Sequence, residues 1–393
     1  MPHPSVSRDG RPAPFGTNLI LGVNGIRLVS ARSGVARMIE AVLRCMGKMD
    51  QPFETIRVYT PAPIPDEVQL PSIATNVVVR GRLGRGFWEQ VDLPRAHGRQ
   101  GLLFCPSYVI PVLAPSPTFV VHHGSYEGYP QAFSPWVLNK ARVAYALSAW
   151  RASSVSTVSA FSREDMHKYY HIPPERVHVV PEGVDTSNFR PISDDALIAK
   201  FRRDFVGTES PYIAYVGKPT ERRNLTPLLH AFARLRRERG MPHKLLIVGA
   251  GLPGTSPFRQ VIRDLQLDDD VIVRDYASHL EMPFVYNAAA LFIYPSSYEG
   301  FGMPVLESMA CGAPTIALDN TAFPEFAGGV AHLLPDAKVD TLLEGMHAVL
   351  RDPAWRARMA IEGPRRAAAY DWMHVTRQYL DIMIPLAEKD ARS

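Results

Sequence analysis

Tyr294-Pro-Ser-Ser-Tyr-Glu299-Gly-Phe-Gly302-Met-Pro304-Val-Leu-Glu307-Ser-Met-Ala310-Cys-Gly312 is the stretch that decides the fold. The apolar run 291–294 ahead of it reads as a buried strand, and a glycine-containing loop follows. Pro304 is expected at the first position of a helix, where a missing N–H costs nothing. The helix is expected to run to Ala310 and to stop at Gly312, a C-terminal glycine. Strand, glycine loop and helix start, in that order, offer free backbone N–H groups and the positive end of a dipole to an anion. Glycines let the backbone approach a ligand closely. Glu299 precedes the helix and Glu307 lies about one turn inside it. Two carboxylates at this spacing can accept hydrogen bonds from hydroxyls of two sugars of one ligand. The blander alternative makes Glu307 a surface helix residue and Glu299 a capping group.

The same alternation extends outward in both directions. Strands are predicted in the second half at 212–216, 244–248, 271–274 and 315–317, besides 291–294. In the first half they are predicted at 19–23, 56–59, 76–79, 102–104, 118–122, 153–158 and 177–180, with helices at 35–46, 135–151 and 162–170. Such alternation implies parallel, doubly wound sheets. Residues 183–210 are rich in turn formers and break the pattern. The expected organisation is therefore a disordered leader at 1–17 and an α/β domain at 18–195. A second α/β domain is expected at 205–370, and an amphipathic helix at 372–386 that crosses back onto the first.

With 393 residues, 46% of them hydrophobic, the chain can build two cores. No apolar run reaches the roughly 20 residues that span a bilayer. The Pro-rich, polar start lacks the apolar core of a signal peptide. Cys45, Cys105 and Cys311 lie far apart and match no zinc or redox spacing, which suits a reducing cytoplasm. Net charge is only +4, but residues 1–170 carry 18 Lys and Arg against 11 Asp and Glu. That basic half suits an anionic partner such as a membrane surface or a phosphorylated acceptor, and equally an ordinary solvated surface.

The glutamate-pair loop resembles the hallmark of the family 4 glycosyltransferases. The resemblance implies a GT-B fold, two Rossmann-like domains facing a cleft, and retention of the donor's anomeric configuration. It implies that Glu299 contacts the donor sugar and Glu307 the ribose. Backbone around Phe301, Gly302 and Met303, and on through Val305 and Leu306, would then cradle sugar and diphosphate. Val216-Gly217-Lys218-Pro-Thr-Glu-Arg222-Arg223-Asn224-Leu225 resembles the family's diphosphate-neutralising element. Arg223 stands where the family usually has Lys, and Lys218 where it often has Arg. Arg222 reads as a solvated residue at a helix start. His122, at the end of the run 118–122, matches the family's sugar-contacting histidine by its spacing from Pro130. His123 replaces a frequent Asp and reads as a buried, hydrogen-bonded histidine. Ser33-Gly34-Val35-Ala36-Arg37 resembles the loop that closes over the donor phosphates. The segments 155–162, 177–185 and 321–326 resemble further landmarks, mainly structural, so that the likeness covers about 19–385 in order.

Other patterns are set aside. Gly249-Ala-Gly251-Leu-Pro-Gly254 matches a dinucleotide fingerprint, but Pro253 and Pro257 interrupt the expected helix. Gly249 is instead read as part of the loop under the nucleotide base. Asp268 and Asp270 mimic a metal-binding pair in what reads as a surface turn. His167 and His171 have ligand spacing without a third ligand. No cofactor, no essential metal and no nucleic-acid partner are expected. Helix 135–151 carries Trp136, Tyr145 and Trp150 among Lys140, Arg142 and Arg151, and suits core packing and a membrane interface equally. The resemblance extends to the mannosyltransferases of bacterial polysaccharide assembly. It implies GDP-mannose as donor and a glycan or polyprenyl-diphosphate-linked oligosaccharide as acceptor, at the inner face of the cell membrane. A nucleotide-sugar epimerase or hydrolase of the same fold, or a non-catalytic binding protein, are the rival readings.

Overall fold

The computed structural model describes residues 19–29, 33–81, 83–249, 251 and 256–392, the side chains of Tyr126 and Ala132 excepted. The leader expected at 1–17 lies outside the described residues, as do Ala250 and 252–254 of the 249–254 loop. Thirteen strands are described: β1 (Leu19–Asn24), β2 (Phe53–Thr60), β3 (Ala74–Val78), β4 (Leu102–Cys105), β5 (Thr118–His122), β6 (Ser154–Thr157), β7 (Val177–Val179), β8 (Tyr212–Val216), β9 (Lys244–Val248), β10 (Val271–Arg274), β11 (Leu291–Tyr294), β12 (Thr315–Leu318) and β13 (His332–Leu334).

They form a seven-stranded sheet in the order β3-β2-β1-β4-β5-β6-β7 and a six-stranded sheet in the order β10-β9-β8-β11-β12-β13. All pairings in the second sheet are parallel. In the first, β2 pairs in parallel with β3 and β1, and β4 with β1 and β5. Both sheets reverse their winding direction once, between β1 and β4 and between β8 and β11. Ligands of open α/β sheets bind outside the carboxyl ends of strands at such a reversal. In the second sheet those ends lead into Gly217 and Pro295, which open the two loops singled out by the sequence.

The central strands are continuous apolar runs because helices cover both faces. Tyr212-Ile-Ala-Tyr215 and Leu291-Phe-Ile-Tyr294 are wholly buried. The second core gathers Ile213, Tyr215, Leu245, Ile247, Leu291 and Ile293 with Leu228 and Phe232 of helix Leu225–Arg239. Strand β13 has three residues, too short for a period-two pattern to mark it. The last helix runs Trp372–Ala391, past Pro385 and beyond the expected stop at Leu386.

The chain divides into two compact units. One comprises the described residues up to His122, Ala144–Ser156 and those from Thr376 on. The other comprises His123–Val143 and Thr157–Val375. This differs from the division expected at 195–205. Inside the second unit, residues 123–128 and 159–165 hold the glutamate loop directly. Ser159 Oγ donates to Gly300 O at 2.7 Å, and Ser125 N donates to the Tyr298 hydroxyl at 2.9 Å.

Candidate functional site

Two loops of the second unit meet at the carboxyl ends of β8 and β11. The first turns tightly through Glu221–Arg223 and ends at Asn224, whose φ of 51° is left-handed. The Asn224 amide then donates to Pro295 O at 2.8 Å and to Ser297 Oγ at 2.6 Å. Ser297 N returns a bond to Arg222 O at 2.7 Å. Backbone and side chain thus staple residues 222–224 to 295–297.

Glu299 sits at the centre of this junction, its side chain 12% exposed. One oxygen, Oε1, lies 2.6 Å from Arg222 Nη1 and accepts from Arg223 Nε at 3.2 Å, the Tyr294 hydroxyl at 2.8 Å and Ser296 Oγ at 3.1 Å. Burial pushes its pKa up, but the Arg223 and Arg222 charges and the hydrogen bonds from Arg222 and Tyr294 outweigh it. The carboxyl is held below the usual range. Burial, with the Glu299 charge beside it, drives the Tyr294 phenol well up, so it stays a donor.

Arg223 is fixed on three sides. Besides Glu299, its Nη1 donates to Lys218 O at 3.1 Å, and its guanidinium carbon lies 5.4 Å from the Tyr294 ring centroid. Nη2 has no hydrogen-bond partner among the described residues. Gly217 makes room for the guanidinium. A Cβ there would stand 2.5 Å from Nη1, and its φ of 124° disfavours any side chain. Burial works against the Arg223 cation, yet Tyr294, Glu299 and Tyr215 around it raise its pKa further, so it remains charged. Lys218 is exposed and forms no ion pair among the described residues. Gly249 lies beside Gly217, with a built Cβ 3.7 Å from the Gly217 Cα, and its N–H donates to Arg274 O.

The reading of Arg222 as a solvated residue is corrected. It reaches the same Glu299 oxygen as Arg223 and also donates to Tyr298 O. The tight turn directs both consecutive guanidiniums inward, because the staple to Pro295 and Ser297 pulls the whole turn onto the glutamate loop.

Helix Met303–Ala310 starts from Gly302, whose φ is 103° and whose Cβ would collide with the Phe323 ring at 2.5 Å. Pro304 is the second helical residue, one later than expected. The helix ends as read, with Gly312 left-handed at φ 71°. Phe301 stacks on Phe326 at 4.6 Å, and Val305 and Leu306 are fully buried, backbone included. Val305 N already donates to Gly302 O at 3.0 Å. Met303 is half-buried at the first helical position. Glu307 is buried, at 5% exposure, and its Oε2 accepts from the Tyr286 hydroxyl at 2.9 Å. The surface-helix alternative for Glu307 does not hold.

In the first unit, His122 ends β5 fully buried, edge-on to the Tyr108 and Tyr145 rings at 5.6 and 5.8 Å. Gly34 opens helix Gly34–Met46, capped by Ser33 Oγ, which accepts from Ala36 N at 3.2 Å. Residues 30–32 of that loop lie outside the described residues.

His123 is the buried, hydrogen-bonded histidine expected, its Nδ1 2.8 Å from Glu182 Oε1 and both side chains nearly buried. Several other participants escaped the sequence reading. The His123 carbonyl abuts Gly300 so closely that a Cβ on Gly300 would stand 2.0 Å from it. The Tyr298 hydroxyl donates to Asp165 at 2.5 Å. Glu325 accepts from Ala160 N and Phe161 N at 2.9 and 2.8 Å, joining two segments already singled out as structural landmarks. The patterns set aside have structural uses. Asp270 pairs with Arg236 and Lys244, each at 2.8 Å. His171 ends helix Ala160–Tyr170 at φ 55°, and His167 Nδ1 lies 3.2 Å from Ile172 O.

A family model described as Glycosyl transferases group 1 matches residues 199–366, and one described as Glycosyltransferase Family 4 matches residues 32–188. O-antigen chain mannosyltransferase B of Escherichia coli is 27% identical over 230 residues, covering 58% of this chain and 60% of that one. MMP alpha-(1->4)-mannosyltransferase of Mycolicibacterium hassiacum is 32% identical over 226 residues, 56% of this chain and 51% of that one. The chain therefore spans between half and two thirds of these curated relatives. Sucrose-phosphate synthase from Thermosynechococcus elongatus has a TM-score of 0.75 at 17% identity, with 94% of this chain and 99% of that one covered. Anabaena HepE in complex with UDP and glucose gives 0.75 at 17% identity, over 94% and 100%. At such identity the likeness is one of fold, and the fold is GT-B.

Proposed function

The chain belongs to the family 4 glycosyltransferases, and from that premise we propose that it moves a hexose from a nucleoside diphosphate to a hydroxyl acceptor, with retention of configuration. The observation that carries this reading is the Arg222–Glu299–Arg223 junction at the winding reversal of the second sheet. It holds a permanent cation, with Nη2 unengaged, beside the start of a helix. An anionic leaving group is the species such a site favours. Arg223, Lys218 and the helix N-terminus offset charge on the departing diphosphate. Glu299 orients the donor sugar, Glu307 accepts from the ribose, and His122 positions the sugar. No enzymic nucleophile is assigned.

GDP-mannose is the preferred donor, because the two relatives described above are named mannosyltransferases. Another nucleotide sugar is the second choice. The acceptor is a glycan or a lipid-linked oligosaccharide of bacterial polysaccharide assembly, met at the inner face of the membrane. A donor screen that follows nucleoside diphosphate release, with and without bacterial glycolipid extract, tests the reading. Release from GDP-mannose that depends on the extract supports it. Equal consumption without any acceptor would point to a hydrolase or epimerase instead.

Two smaller expectations follow. Glu307→Ala is expected to weaken nucleoside diphosphate binding by about 1.5–3 kcal/mol, the range for a hydrogen bond to a charged group. Tyr286→Phe, which removes one internal hydrogen bond to Glu307, should change affinity far less. Calorimetry showing equal affinity for Glu307→Ala and wild type, in a folded variant, removes Glu307 from the site. Activity is also expected to survive excess chelator, since fixed cations stand where an ion would otherwise balance the diphosphate. Loss restored by magnesium or manganese would overturn that assignment.

A further inference from the structure

Helix Pro135–Arg151 buries Tyr145, Ser148 and Ala149 on one side and leaves a second apolar side in solvent. Trp136 is 70% exposed, Val143 67%, Leu147 44% and Trp150 47%. With Lys140 they fall at 136, 140, 143, 147 and 150, steps of four and three that lie along one face of a helix. The face is about 21 Å long at the standard rise. A helix apolar on all sides is normally buried throughout, so this exposed side calls for an occupant.

Charge selects the occupant. No acidic residue occurs between Glu127 and Glu164, while Lys140, Arg142, Arg151 and Arg163 do. Lys140 Nζ stands 5.1 Å from the Trp136 ring, and Arg142 donates to the exposed carbonyl of Tyr169. Tryptophan at either end of an apolar stripe, with cations beside it and no carboxylate, is the chemistry of a helix lying in the headgroup region of an anionic bilayer. Trp suits that depth because its ring is apolar and its N–H polar. Among the described residues no helix is long and apolar enough to cross a membrane, so the contact lies on the surface.

We infer that this face of helix Pro135–Arg151 docks the protein on an anionic phospholipid bilayer. The inference deepens the proposed function by naming the surface that meets a lipid-linked acceptor, and it rests on that reading only for its purpose. The test needs neither turnover nor acceptor. Co-sedimentation compares phosphatidylcholine vesicles with and without phosphatidylglycerol. Wild type is expected to pellet with the anionic vesicles and to be released by salt. Val143→Asp with Leu147→Asp should lower that partition by at least about tenfold, since buried carboxylates oppose insertion. Lys140→Gln with Arg151→Gln should weaken it by a smaller factor. Nucleoside diphosphate binding should be unchanged in both variants, and its absence in wild type would count against the proposed function and not against docking. Wild type left in the supernatant, or pelleting equally with neutral vesicles, overturns the inference. So does a dimer in light scattering that Val143→Asp dissociates, which would make the occupant a second copy of the chain.

Discussion

Arg223→Ala is expected to lower turnover on the order of 100-fold or more, by analogy with removing one preorganised donor from a site of developing charge. Donor affinity should fall less. Negative charge grows on the diphosphate as the glycosidic bond breaks, so a fixed cation stabilises the transition state more than the bound donor. The guanidinium is fixed without help from a ligand. Nε is held by Glu299, Nη1 by Lys218 O, and the Tyr294 ring lies to one side. Arg223→Lys should recover only part of the rate, because one ammonium cannot span the same two acceptors and still present a free donor. Arg222→Ala is expected to act differently. The Arg222 side chain is spent on Glu299 and the Tyr298 carbonyl, so its loss should show mainly as lower thermal stability and a modest drop in turnover. Steady-state kinetics and melting curves on the three variants decide the matter. Greater loss of turnover in Arg222→Ala than in Arg223→Ala would show that the leaving group is met by the other arginine.

The position of Arg222 also marks where sequence reading stops. The elements around the site were legible because their signals are local. Gly302 and Gly312 announce left-handed turns, Pro304 a helix start, and Leu291–Tyr294 a doubly covered strand. Even the one-residue error at Pro304 is of the size by which helix ends ordinarily vary. The direction of Arg222 depends on Glu299, 77 residues on, and on a staple through Asn224 that no local pattern encodes. His123 and Glu182 are 59 residues apart, and Tyr298 and Asp165 are 133 apart. Such pairs exist only once the loops have met.

Burial stayed open in the sequence for a related reason. Helical spacing places Glu307 on a face but does not say which face is covered. Tyr286, which covers it, belongs to the separate helix Met282–Asn287. Helix Pro135–Arg151 was ambiguous because both of its sides are apolar, so that composition could not choose between core and interface. The structure assigns Tyr145 to the core and Trp136 to solvent.

Glu299 carries the second large expectation. Its removal leaves two guanidiniums, 25% and 17% exposed, without their shared acceptor, and Glu299→Ala should cost stability toward the lower end of the about 3–5 kcal/mol lost when a buried pair is broken from one side. Glu299→Gln keeps the shape and one acceptor oxygen, so it should cost less while still removing the charge. The pH dependence gives this its sign. Folding lowers the Glu299 pKa, because Arg223 and Arg222 outweigh the burial that would raise it. A group depressed on folding contributes stability in full above its unfolded pKa, about 4.3 for glutamate. That contribution is lost as pH falls through the lower folded value. Wild type should therefore be the more stable protein at neutral pH, and its advantage over Glu299→Gln should shrink steadily as the solution is acidified below pH about 4. Urea unfolding of both proteins across an acid series measures the gap directly. A gap that stays constant would mean that folding leaves the Glu299 pKa where it was, and one that widens on acidification that Glu299 carries its proton in the folded state; either would show that the two arginines are balanced elsewhere.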